Sequence, residues 1–176
     1  TPEHVVDVAG GTLGAALGVA AAAPGLRRVT GLDRANPALR FGAETLARYR
    51  PKLEINTRRW ELLRDQTVPP GDLIVLANFL DELNEERRVH QAVQSALQAL
   101  PPGGVLLLLE PGTQRASHRL SRLRDDVAGA IPILGPCTGA RRCPYAENPG
   151  DGWCFAEIEV EEPTWLESLR EAAGIR

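Results

Sequence analysis

Short apolar runs alternate with amphipathic stretches along most of the chain. His4 to Val8, Arg28 to Leu32, Leu53 to Asn56, Asp72 to Ala77 and Val105 to Leu109 have the length and character of strands. The last of these is unbroken in its apolar character, as expected where both faces of a sheet are covered. Between them lie helical patterns. Leu13 to Ala23 is alanine-rich and stopped by Pro24-Gly25, and Pro37 to Tyr49 carries Leu39, Ala43, Leu46 and Ala47 on one face. In Glu85 to Leu100, Val89, Val93, Ala96, Leu97 and Leu100 recur at helical spacing, and Gln114 to Ala128 is helical too. Trp153 to Val160 is expected as a further strand and Thr164 to Ala173 as a last helix. This βαβα order predicts an α/β fold, a doubly wound and mainly parallel sheet.

In a Rossmann-like sheet of this kind, ligands bind beyond the carboxyl ends of the strands, where the strand order reverses. Four sequence features fall at such ends: the turn after the first strand, Asp33, Asn78 and Glu110. The 176 residues fit one domain, taken as 1–176. A net charge of −3 gives no overall attraction to nucleic acid, and no run approaches a membrane span. The absence of a secretory pattern and the odd count of three cysteines point to a reducing compartment, cytoplasmic in a bacterial cell. No feature sets the oligomeric state.

The first turn reads Asp7-Val8-Ala9-Gly10-Gly11-Thr12-Leu13-Gly14. Small residues let backbone approach a ligand, and the helix that follows favours polar or anionic groups at its start. Asp33 ends the second strand, where a carboxylate can accept from both hydroxyls of a ribose. Two cofactors fit. Ala9-x-Gly11-x-x-Gly14 approximates a dinucleotide fingerprint. Alternatively, the acid just before the turn resembles the pattern of S-adenosylmethionine (SAM)-dependent methyltransferases of class I. The stretches Asp72 to Asn78 and Leu100 to Glu110 look like strands four and five of that superfamily. The resemblance implies a SAM site on Asp7, Ala9, Gly10, Gly11, Gly14 and Asp33, with Asn78 and Phe79 beside it. It also implies an acceptor side formed by Asn78-Phe79-Leu80-Asp81-Glu82. There Asn78 orients a nucleophile and Asp81 or Glu82 takes a proton, unless these two acids simply start the next helix.

All three cysteines, Cys137, Cys143 and Cys154, fall in a Gly- and Pro-rich segment over 135–156. Five residues separate the first pair and ten the second, which is not the pairing of a zinc ribbon. Thiolates suit zinc or an iron–sulfur cluster. They can equally be three small apolar or redox-reactive side chains.

Glu110-Pro-Gly-Thr113, a helix, Gly135-Pro-Cys137, Cys143-Pro144 and Trp153-Cys154-Phe155 follow one another in an order that resembles a specific family. These are the methyltransferase-like assembly factors of the mitochondrial small ribosomal subunit, with their bacterial relatives. The resemblance implies a 4Fe-4S cluster (alternatively zinc) on the three cysteines, ribosomal RNA or the small ribosomal subunit as partner, and the mitochondrial matrix if the source is eukaryotic. It implies either a methyltransferase or an assembly module that retains the fold without turnover; a small-molecule methyltransferase with structural zinc is the third option. Arg115, Arg119 and Arg122 on one helix face, and Arg141-Arg142, are the candidate phosphate contacts. Either the last strands of the superfamily's sheet, along with a fourth cysteine ligand, lie beyond the end of this sequence, or the domain is a minimal one.

Overall fold

The computed structural model describes residues 1–176 except 66, 139–141, 149, 151, 160, 162 and 175–176. Five strands form one sheet: β1 (His4–Val8), β2 (Arg28–Asp33), β3 (Glu54–Arg59), β4 (Leu73–Ala77) and β5 (Val105–Leu109). They pair in the order β3-β2-β1-β4-β5, every pair parallel. The order reverses between β1 and β4, which opens the ligand crevice of a doubly wound sheet at their carboxyl ends.

Helices α1 (Gly14–Ala22) and α2 (Asn36–Tyr49) cover one face. Their core joins Val5, Leu13, Ala16, Ala20, Val29, Leu39, Leu46 and Val75. Helices α4 (Glu86–Ala99) and α5 (Gln114–Val127) cover the other, around Val6, Val8, Leu32, Ile74, Leu76, Val89, Val93 and Leu123. The alternation of Val5 with Val6, and of Ile74 with Val75, shows the period of two that a parallel strand needs to fill both layers. A short helix α3 (Leu62–Asp65) lies between β3 and β4, another, α6 (Pro144–Glu147), follows α5, and α7 (Thr164–Ala173) comes last.

Three expectations change. The third strand runs on to Arg59, four residues of it beyond the apolar pair that marks its start. Residues 153–159 form no strand and are exposed; Val160, the end of that expected strand, lies outside the described residues. The run Val105 to Leu109 is also covered on one side only. Leu106 and Leu108 pack on the α4–α5 core, while Leu107 is 41% and Leu109 55% exposed. Helices α1 and α2 sit over β1, β2 and β4 and leave that face of β5 bare. No helix among the described residues is long and apolar enough to cross a membrane.

Arg50, just past α2, ties the layer together. Its guanidinium donates to the carbonyls of Ala20 at 3.1 Å, Ala23 at 2.8 Å, Pro24 at 2.9 Å and Leu26 at 3.0 Å. These are carbonyls at the end of α1 and in the turn after it, which a helix leaves without intrahelical partners. The fork of donors suits this geometry and a point ammonium does not. Arg50→Ala is expected to lower unfolding stability by about 2 kcal/mol, and Arg50→Lys to recover less than half of that, in denaturant titrations.

Candidate functional site

The glycine turn leaves β1 at Val8 and enters α1 at Gly14 through three left-handed positions outside the helix: Ala9 at φ 55°, Gly11 at φ 52° and Leu13 at φ 58°. For Ala9 and Leu13 that conformation carries strain of roughly 1 kcal/mol or more each, of the kind found where a loop is shaped for a ligand. The loop is closed by backbone bonds. Gly10 N–H donates to Leu32 O at 3.0 Å, and Leu13 N–H to Gly10 O at 2.7 Å.

Asp7 lies directly beneath it, with no exposed surface. Its Oδ2 accepts from Ala16 N–H at 3.0 Å, while its Oδ1 has no partner among the described residues. Gly10 is seated on this carboxyl group. A Cβ there would stand 2.7 Å from Asp7 Cγ and 2.9 Å from Leu13 Cδ2, so no larger residue fits without displacing the acid. Burial pushes the Asp7 carboxyl up to about 6; the Ala16 hydrogen bond opposes this and the Asp33 charge reinforces it.

Asp33 is half-buried at the end of β2. Its Oδ2 accepts from Gly11 N–H at 2.9 Å and its Oδ1 from Ala35 N–H at 2.7 Å. The acid therefore fastens the glycine loop to the start of α2. Each oxygen keeps a second acceptor site. Asp7, Ala9, Gly10, Gly11 and Asp33 are thus brought together at one end of the sheet, with Gly14 exposed at the first turn of α1.

On the β4 side, Asn78 is exposed and left-handed at φ 54°, and its N–H donates to Leu109 O at 2.8 Å. Phe79 is half-buried, its ring edge-on to Trp60 with centroids 6.3 Å apart. Asp81, half-buried in a 3-10 turn over Leu80–Glu82, pairs with Arg115 at 2.8 Å. Glu82 is exposed. The two acids thus differ: Asp81 is committed to an ion pair, and Glu82 faces solvent.

Two of the three helix arginines are also engaged within the chain. Arg115 holds Asp81, and Arg119, with a side chain only 9% exposed, donates to Leu80 O and Leu83 O and pairs with Glu86 at 3.2 Å. Arg122 is exposed, and Arg141 lies outside the described residues. Sequence inspection finds the shared face but not these partners, which come from segments some thirty residues away.

Cys137 and Cys154 are exposed and Cys143 is half-buried, all three as free thiols. Among the described residues no three His, Cys, Asp or Glu side chains are grouped so as to hold a metal ion. As placed, the thiols do not form a ligand shell, and the expected convergence of the three is absent. What the segments share is α5. Ser117 donates to Cys154 O, His118 Nε2 bonds Gly152 O at 2.9 Å, Arg124 donates to Cys137 O at 3.2 Å, and Asp125 accepts from Cys143 N–H at 2.9 Å.

A family model described as Rsm22, mitochondrial small ribosomal subunit, matches residues 1–165. Among solved structures, the S-adenosylmethionine-dependent methyltransferase SibL in its apo form is 30% identical, with a TM-score of 0.53 over 61% of this chain and 30% of its own. An O-methyltransferase family 2 protein from Planctomyces limnophilus, in complex with apigenin, is 31% identical, with a TM-score of 0.50 over 60% of this chain and 31% of its own. The N-methyltransferase NodS from Bradyrhizobium japonicum, solved with S-adenosyl-L-homocysteine, shares the fold at 21% identity, with a TM-score of 0.51 over 61% of this chain and 52% of its own. The chain spans less than a third of the length of the first two. No curated protein matches. The sheet with its flanking helices is thus the Rossmann-like fold of SAM-dependent methyltransferases.

The buried acid makes a pH prediction. Folded Asp7 holds its proton up to about 6, against 3.8 for the free side chain. Between those values the native state binds more protons than the unfolded chain, so this group makes stability fall as pH rises through the window, by on the order of 3 kcal/mol. Above it the loss is complete. Asp7→Asn keeps an acceptor for Ala16 N–H and removes the buried charge. Its unfolding free energy is expected to exceed wild type at about pH 7.5, with the difference shrinking toward about pH 4. Denaturant titrations at the two pH values check this.

Proposed function

We propose, because the chain belongs to the mitochondrial small ribosomal subunit Rsm22 family, that it binds SAM in the crevice between β1 and β4 and serves the small ribosomal subunit by methylating its RNA. The cradle carries this reading. A bare backbone loop, bent through left-handed positions and seated on a buried acid with one free oxygen, lies beside a second acid at the end of β2. Loops of that shape accommodate an adenosyl group closely because no side chain intervenes.

SAM, when bound, supplies a methyl group on a positively charged sulfur. The chain's own residues do the rest. The loop backbone, shaped over the buried Asp7, would hold the ligand, and Asp33 has acceptor capacity left for ribose hydroxyls. Asn78 projects from the end of β4 with its side chain available to orient a nucleophile, and the half-buried Phe79 shapes the wall beside it. Of the two acids, Glu82 is the one free to accept a proton, since Asp81 is bound to Arg115. Alignment of this sort contributes more to methyl transfer than acid–base chemistry does.

A second reading, an assembly module that binds the ribosomal subunit without turnover, is favoured by the internal engagement of Asp81, Arg115 and Arg119. In either case Cys137, Cys143 and Cys154 are proposed as ligands of an iron–sulfur cluster or of zinc. Support for this comes from the three thiols and from α5, which holds the backbone of all three segments.

Calorimetry with S-adenosylhomocysteine tests the cradle. Wild type is expected to bind in the micromolar range, and Gly10→Ala, whose added carbon would meet Asp7 and Leu13, to lose at least about tenfold in affinity. No heat from wild type would sink the SAM reading. Methyl incorporation into small-subunit RNA then separates enzyme from module. For the cysteines, anaerobic purification is expected to yield iron with sulfide, or zinc, and a metal-free protein would end the metal reading.

A further inference from the structure

We propose that Glu110 is the positioning residue of the loop after β4: it fixes Asn78 and Phe79 as a preformed wall for the ligand without touching the ligand itself. The inference rests on the methyltransferase reading above and adds a residue to that site.

The loop leaves the sheet at Asn78, whose N–H makes the last ladder bond, to Leu109 O at 2.8 Å. The next three amides have no strand to pair with. They converge on one carboxylate. Phe79 N–H at 3.1 Å and Leu80 N–H at 2.8 Å donate to Glu110 Oε1, and Asp81 N–H at 3.2 Å donates to Oε2. Hydrogen bonds to an ionised acceptor are about twice as strong as neutral ones, and three from consecutive residues fix the backbone direction as well as its position.

The carbonyls of the same segment are held from α5. Arg119 donates to Leu80 O and Leu83 O, and Arg115 to Asp81 O. The segment is therefore gripped along both of its polar edges by residues of the β5–α5 unit. Asn78, at its near end, is exposed and in a left-handed conformation that favours glycine. Such a conformation persists in a non-glycine residue when the structure on either side dictates it. Here Leu109 O dictates it from one side and Glu110 from the other. Phe79 is steadied on its far side by the ring of Trp60, itself only 2% exposed.

Glu110→Gln tests this with little change in volume. It puts an NH2 group against the loop amides in place of an acceptor oxygen. Amide hydrogen exchange at residues 79–81 is expected to accelerate by roughly tenfold or more while amides of β1 and β4 keep their wild-type rates, and affinity for S-adenosylhomocysteine is expected to weaken by about tenfold. Glu110→Asp keeps the charge on a shorter arm and is expected to lose part of both. Exchange and affinity within about twofold of wild type in both variants would overturn the proposal. Uniform acceleration through β1 and β4 would also overturn it, by assigning Glu110 to global stability. A wild-type chain that binds no S-adenosylhomocysteine would remove the methyltransferase reading and the ligand half of this inference, and exchange at 79–81 would still decide whether Glu110 holds the loop.

Discussion

The hydrogen bond from Ala16 N–H to Asp7 governs the ligand end of this fold. It joins the last part of β1 to the first turn of α1 beneath the loop that connects them. With the carboxylate in place, the loop must arch over it through backbone alone, and Gly10 is required where the arch comes closest. The arrangement is costly, because an ionisable group is held without solvent and with one oxygen unpaired among the described residues. Structures carry such a cost where a site needs it more than the fold does.

The two loops that border the crevice are secured in the same way from opposite sides. Asp33, at the end of β2, receives an amide of the loop after β1. Glu110, at the end of β5, receives amides of the loop after β4. In each case the acid comes from the outer neighbour of the strand whose loop it holds. Both central loops thus hang on their flanks. Ligands bind where the strand order reverses because the loops part there, and here each of the two loops is tied outward to a carboxylate.

Most of the layer architecture was legible in the sequence. Runs such as Leu73–Ala77 and the spacing of Val89, Val93 and Ala96 report period two and period 3.6 directly, and tertiary packing did not override them. The position of the glycine turn and of Asp33 at the ends of neighbouring strands was legible for the same reason: local shape is written locally. Partner choice was not. That Arg50 gathers four carbonyls, that Asp81 belongs to Arg115, and that Glu110 serves amides of the loop after another strand depend on contacts 24 to 34 residues apart. Apolar content also misled at β5. An unbroken leucine run reads as covered on both faces, yet Leu107 and Leu109 remain half open because the helices of one layer stop at β4. The clustering of cysteines was plain from spacing, whereas the direction of each thiol depends on backbone geometry that spacing does not encode.

Helix α5 has three distinct stripes. Ala116, Leu120 and Leu123 face the core, Arg115 and Arg119 face the loop after β4, and Ser117, His118, Arg124 and Asp125 face the cysteine segments. It therefore behaves as an axle with separate attachments around its rim. Turning it by even a fraction of a residue's angular step would slacken the grip on the sulfur-bearing backbone and on the crevice wall in one motion, so the two regions have no independent freedom while the axle stays seated in the core.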